Sequence, residues 1–205
     1  MCIRDRLALH AARATATGHA YVGTPAMYHQ LVETFPYVET PDQDRAIDEV
    51  LEDLASPEPM DRLIVGDVGF GKTEVAIRAA MRVVMEGHQV ALLCPTTVLA
   101  FQHAETFKSR LSEFPVRIEL LSRFRSASQV RAVLKDLREG RVDIVIGTNS
   151  LLSRRLKFAH RGLVVVVEEH RFGVRQKEKL KRLQPGMEYL LSLIHISEPT
   201  RQPCI

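Results

Sequence analysis

Apolar residues recur along this chain in two alternating rhythms, short unbroken runs and helical stripes, and the alternation sets the expected architecture. The run Arg62-Leu63-Ile64-Val65 suits a short buried strand. Val75, Ala76, Ala79, Ala80, Val83 and Val84 then follow helical spacing, with Gly87 as a stop. Val90 to Cys94 reads as a strand, Val98 to Leu111 as a helix, Val116 to Leu121 as a strand, and Ser126 to Arg138 as a helix closed by Gly140. Asp143 to Ile146 is a strand that ends at Gly147-Thr148, and Leu163 to Val167 is another. Aliphatic strands without polar alternation are buried on both faces, so the pattern implies an α/β fold whose parallel sheet is covered by helices on either side.

Ahead of this block, residues 7–39 read as a helical leading segment, with Ala11, Ala12, Ala14 and Ala16 followed by Met27, Leu31 and Val32. At Thr40-Pro41-Asp42-Gln43, Thr40 suits an N-cap and Pro41 a first helical residue, and Ala46, Ile47, Val50, Leu51 and Leu54 make one apolar face. Gln43 has two readings: one polar position of a capped helix, or an amide that reads the edge of an adenine by donating and accepting at once.

Gly66-Asp67-Val68-Gly69-Phe70-Gly71-Lys72-Thr73 sits between the first strand and the helix after it, and fits G-x-x-x-x-G-K-[ST]. Glycines there let backbone N–H groups converge on phosphate oxygens at a helix N-terminus. Lys72 would reach the β- and γ-phosphates of ATP and Thr73 would ligate Mg2+. The fold expected is therefore a three-layer P-loop NTPase domain with a mostly parallel sheet.

The chain has 205 residues and a formal net charge of +3, a mildly basic balance compatible with nucleic acid without arguing for it. No apolar run is long enough to span a bilayer, and no signal peptide is evident, so the expected setting is the cytoplasm, without membrane association. Three cysteines without metal-like spacing give neither a disulfide framework nor a zinc site.

The two ends look foreign to the rest. Residues 1–6, Met-Cys-Ile-Arg-Asp-Arg, can be encoded by a string whose reverse complement translates as Leu-Ser-Leu-Ile-His, which is Leu191 to His195. The pair resembles a transposon-end sequencing adapter, so residues 1–6 and 191–205 read as adapter-derived and are left out of the fold reading. The native part then reads as residues 7–190, a piece of a longer protein, with 40–190 as the nucleotide-binding lobe.

Glu168-Glu169-His170 closes a hydrophobic strand about a hundred residues after the P-loop, as in the superfamily 2 helicases and translocases. Pro95 to Ala100, Ser122-Arg123-Phe124-Arg125-Ser126, Ile146-Gly147-Thr148 and His170 to Val174 narrow the likeness. Together with the P-loop and Thr40-Pro41-Asp42-Gln43, this set resembles the bacterial transcription-repair coupling factors. The branch-migration helicases share the architecture, but there a Ser usually stands at the position of Phe70 and a Gln at that of Glu169.

The resemblance implies the first RecA-like lobe of an ATP-driven double-stranded DNA translocase that displaces stalled RNA polymerase and recruits nucleotide-excision repair proteins. Gln43 would contact adenine; Gly66, Asp67, Val68, Gly69, Phe70, Gly71, Lys72 and Thr73 would hold the phosphates. Glu168 would orient or deprotonate the attacking water, and His170 would couple the ATP and DNA sites. Thr96, Arg123, Gly147 and Thr148 match motifs that touch the DNA backbone, although Arg123 and Arg125 also read as a solvated basic surface. One departure matters: the family's Asp-Glu-Glu-His carries its first Asp where this chain has Val167, which offers no oxygen to Mg2+. A remnant that binds nucleotide or DNA backbone without hydrolysis is the competing implication.

Overall fold

The computed structural model describes residues 18–23, 26–66, 71–153, 156–173, 176 and 187–194. Six strands form one sheet: β1 (Asp61–Gly66), β2 (Gln89–Leu93), β3 (Ile118–Leu121), β4 (Ile144–Gly147), β5 (Arg161–Val166) and β6 (Glu188–Ile194). Their order is β1-β6-β5-β2-β4-β3, and every pairing is parallel. The helices are α1 (Ala26–Glu33), α2 (Pro41–Ala55), α3 (Lys72–Met85), α4 (Thr97–Arg110) and α5 (Ala127–Arg138).

Period-two side-chain alternation divides the core between the two faces of the sheet. Val90, Leu92, Ile144, Ile146, Leu163 and Val165 point to the face covered by α1 to α4. Their neighbours Ala91, Leu93, Val145, Val164 and Val166 point to the other face, under α5 and the 3-10 turn at Asn149–Leu152. The aliphatic runs have no polar alternation because both of their faces are buried.

Local chemistry sets the helix starts. Thr40 and Ser126 open α2 and α5 with capping boxes closed by Gln43 and Gln129, and Thr96 caps α4 by accepting from Leu99 N at 3.2 Å. The β3 strand begins two residues later than the pattern suggests. Val116 N donates to Phe114 O in a turn, and Arg117 N donates to the Asp143 carboxylate rather than to a ladder partner.

Within the leading segment, the helical reading of residues 7–17 falls outside the described residues, while residues 18–39 are built into the body. Tyr21, Tyr28 and Leu31 are buried with α3. A polar cluster fixes them: Arg110 donates to Leu31 O, Thr34 Oγ1 and Glu74, and Arg78 bridges Glu74 and Glu39. Phe35 lies near both guanidinium groups, 5.5 Å from Arg78 and 5.4 Å from Arg110. Glu74, the residue after Thr73, is thereby tied to α4 and to the chain ahead of the P-loop.

Residues 191–194, read above as adapter-derived, lie within β6. The β6 strand pairs with β1 through Leu63↔Leu191, Ile64↔Ser192 and Gly66↔Ile194. A Leu-Ser-Leu-Ile run is apolar and β-competent whatever its origin, and β1 offers it a parallel edge.

Gln89 joins three layers at the start of β2. Its Nε2 donates to Leu137 O at 3.0 Å and Val142 O at 2.6 Å, and its Oε1 accepts from Ala159 N at 2.8 Å and His160 N at 3.1 Å. Gln89→Leu keeps the bulk and removes all four bonds, leaving the buried Val142 O without this donor while Ala159 N and His160 N are only part-buried, so unfolding stability should fall by on the order of 2 kcal/mol. Urea unfolding of the two chains measures it; an unchanged midpoint would contradict the assignment.

Candidate nucleotide site

The parallel sheet sends every strand-to-helix turn to one pole, and the candidate residues gather there. After β1, Gly71 adopts φ 66°, in the left-handed region that suits glycine, and opens α3 as its N-cap. Lys72 and Thr73 are the first two residues of that helix, where backbone N–H groups lack intrahelical partners and the dipole is positive. Lys72 Nζ donates to Gly66 O at 2.5 Å, folding the side chain back across the turn. Asp67, Val68, Gly69 and Phe70 lie outside the described residues.

On the facing wall, Val167 N still donates to Leu93 O at 2.9 Å, so its backbone is fixed by the ladder. Glu168 then turns sharply with φ 53°, a left-handed conformation strained for a side chain with a Cβ. Its Oε2 is buried and has no hydrogen-bond partner among the described residues. Arg171 Nε comes within 2.9 Å of that oxygen, which is a charge contact without hydrogen-bond alignment. A strained backbone holding a buried carboxylate oxygen with no donor is an arrangement found where a ligand completes the site.

Between these walls lies a cavity of about 190 Å3. Lys72 and Thr73 line it from α3, Leu99 and His103 from α4, and Val167 and Glu168 from the end of β5. It presents a cation and a helix N-terminus for phosphate, a hydroxyl for a metal or phosphate, and a carboxylate able to accept from water. These groups fit a nucleotide phosphate chain. They fit a divalent cation less well, because Val167 faces the same space with methyl groups.

Gln43 closes the capping box of the helix it opens and lies against the P-loop glycine. Its Oε1 accepts from Thr40 N at 2.8 Å in the capping box, while its Nε2 lies 2.1 Å from where a Cβ on Gly71 would sit. A side chain at position 71 would therefore displace Gln43 as well as strain the backbone.

His170 occupies a 3-10 turn at Glu169–Arg171, is exposed, and does not line the cavity. His103 does, and it had escaped notice in the sequence. The signal was available: Leu99, His103 and Phe107 recur at i, i+4, i+8, so one stripe of α4 forms the wall. Burial pushes the His103 pKa down and Glu168 opposes the shift, which favours the neutral imidazole. Burial also raises the Cys94 thiol to about 12, leaving it inert beside the site. Ser192 lines the cavity from β6, inside the stretch that the sequence reading set aside.

The other four candidates stand at the carboxyl ends of β2, β4 and β3, adjacent in the sheet. Thr96 is exposed; Gly147 is buried so closely that a Cβ would meet Leu121 O at 2.6 Å. Thr148 precedes the 3-10 turn without capping it. Arg123 is exposed, its guanidinium 5.3 Å from the ring of Phe124, while Arg125 pairs with Glu119 at 2.9 Å. Only Arg123 of the two arginines thus has the outward placement a backbone phosphate needs.

Glycine at position 168 would relieve the left-handed strain and remove the unpartnered carboxylate together. Glu168→Gly should stabilise the chain by on the order of 1 kcal/mol, read as a raised thermal midpoint. A lowered midpoint would mean that the carboxylate contributes to folding.

The chain is 49% identical over 186 residues to the transcription-repair-coupling factor of Haemophilus influenzae, 48% to that of Escherichia coli and 47% to that of Bacillus subtilis. Each match takes in 91% of this chain and 16% of the relative, so the chain spans about a sixth of their length. The structure of RecG bound to a three-way DNA junction is similar with a TM-score of 0.75 at 30% identity, over 93% of this chain and 27% of that one. The DUF1998 helicase MrfA bound to DNA shares the fold, with a TM-score of 0.68 at 16% identity over 91% of this chain and 28% of that one. The fold is accordingly the RecA-like P-loop domain that the motifs led one to expect. The DEAD/DEAH box helicase model matches residues 40–201, from the α2 cap through the cavity and past β6, and the chain belongs to that family.

Proposed function

We propose that residues 40–190 form the first ATP-binding lobe of a double-stranded DNA translocase of the transcription-repair coupling type. The observation that carries the reading is the cavity lined by Lys72, Thr73 and Glu168, in which one buried Glu168 carboxylate oxygen accepts no hydrogen bond. ATP enters with its phosphates against the α3 N-terminus and Lys72, while Gln43 beside Gly71 is placed for the base. Glu168 accepts from the attacking water. Phosphoryl transfer of this kind depends on positioning and charge neutralisation more than on covalent chemistry.

Duplex DNA runs over the carboxyl ends of β2, β4 and β3, with Thr96, Arg123, Gly147 and Thr148 meeting its backbone. Such contacts are sequence-independent and weaken with salt. Displacement of RNA polymerase and recruitment of nucleotide-excision repair proteins, in the cytoplasm, belong to the whole protein rather than to these residues. The identity of 47–49% to coupling factors supports this reading, as do Phe70 and Glu169, where branch-migration helicases usually carry Ser and Gln.

Mg2+ would be held through Thr73, and when bound it would offset charge on the phosphates. Val167 withholds the carboxylate that the family motif places there, so metal retention is weak and hydrolysis is severely reduced. Equilibrium binding of a fluorescent ATP analogue tests both points. The chain should bind it, Lys72→Ala should weaken binding roughly tenfold or more, and Mg2+ should add little until Val167→Asp is made. Equal binding by Lys72→Ala would sink the nucleotide reading; a strong Mg2+ effect without the Asp would sink the role given to Val167.

A further inference from the structure

The cavity holds one titratable side chain with no part in the reading above. His103 projects from the middle of α4 into the same space as Lys72, Thr73 and Glu168. Its helix begins at Thr96, the N-cap, at the carboxyl end of β2. Seven residues of helix separate the two, about 10 Å of rigid rise. One element therefore has its cap on the proposed DNA face and an imidazole in the nucleotide cavity. His170, the histidine to which the family resemblance gives the coupling role, is exposed and outside that wall.

We propose that His103 donates a hydrogen bond to the terminal phosphoryl group of bound ATP, in the cavity that Glu168 also lines. The inference rests on the nucleotide reading of the cavity. Three features of the structure support it. The imidazole is largely withdrawn from solvent, and burial keeps it neutral, so it offers one N–H donor and adds no charge to the resting site. Glu168, which lines the same cavity, is an acceptor, so the lining offers both a donor and an acceptor to a phosphoryl group and its water. Leu99 and Phe107, one turn to either side, give the wall an apolar surface that holds the ring in place. Hydrolysis then takes the whole acceptor away from His103, whereas Lys72 and the α3 N-terminus keep the phosphates that remain on ADP.

Proton–carbon correlation spectra of the histidine rings, recorded on the full chain beside backbone amide spectra, test this. The His103 signal is assigned by its loss in His103→Gln. The non-hydrolysable β,γ-imido analogue of ATP should move the Gly71 to Thr73 amides and the His103 ring together; ADP should move the amides and leave the ring in place. His103→Leu should lower the preference for the analogue over ADP roughly tenfold, the worth of one hydrogen bond to a charged group, and His103→Gln should retain most of it. A merely structural histidine would weaken both nucleotides alike and leave their ratio unchanged.

Amide shifts without a ring shift would overturn the proposal and leave the nucleotide reading standing. No shift in either would overturn both. Should His103→Leu fail to fold, the ring response of the unaltered chain still decides.

Discussion

Parallel strand direction is the constraint on which the rest of this structure depends. With every pairing parallel, each connection must cross back over a face of the sheet, and the turn that leaves each strand falls at the same pole. That pole receives the P-loop glycines after β1, Val167 and Glu168 after β5, and Thr96, Arg123 and Thr148 after β2, β3 and β4. Residues more than a hundred positions apart become neighbours because the topology leaves them no other place. The cavity and the proposed DNA face are therefore two halves of one edge.

The stability of that edge comes from behind it. Glu74 follows Thr73 directly and is buried against Arg78 and Arg110, which in turn hold Leu31, Thr34 and Glu39. Buried charges are costly unless paired, and here each guanidinium is met by carboxylate or carbonyl oxygens and by the ring of Phe35. The start of α3 is thus anchored from one side by packed ion pairs, while on the other side Glu168 keeps a strained turn and an unpartnered oxygen. An anchored helix start faces a carboxylate held out of its relaxed geometry, a division of order and strain common at reactive sites.

Much of this was legible in the residues. Strands such as Leu163 to Val166 announced burial on both faces by lacking polar alternation, and Thr40-Pro41-Asp42-Gln43 announced a capped helix by its side chains. The P-loop was legible because glycine, lysine and threonine at fixed spacing have one chemical use in common. What escaped depends on tertiary placement. His103 carries no motif of its own and gains meaning only when α4 packs across α3. Residues 191–194 of β6 were set aside for their adapter-like coding, yet pairing follows hydrophobicity and an available edge. The docking of residues 18–39 rests on Arg82 donating to Tyr21 O and on Arg110 reaching Leu31 O, contacts that no local pattern encodes.

The central claim is that one cavity, bounded by Lys72, Thr73, Val167 and Glu168, receives the phosphates of ATP. The most direct measurement is a crystal structure of the chain with a non-hydrolysable ATP analogue. The account predicts that Lys72 Nζ leaves Gly66 O for a phosphate oxygen and that the terminal phosphate lies beside the Glu168 carboxylate. A nucleotide seated elsewhere, or Lys72 still bonded to Gly66 O beneath a bound triphosphate, would contradict it.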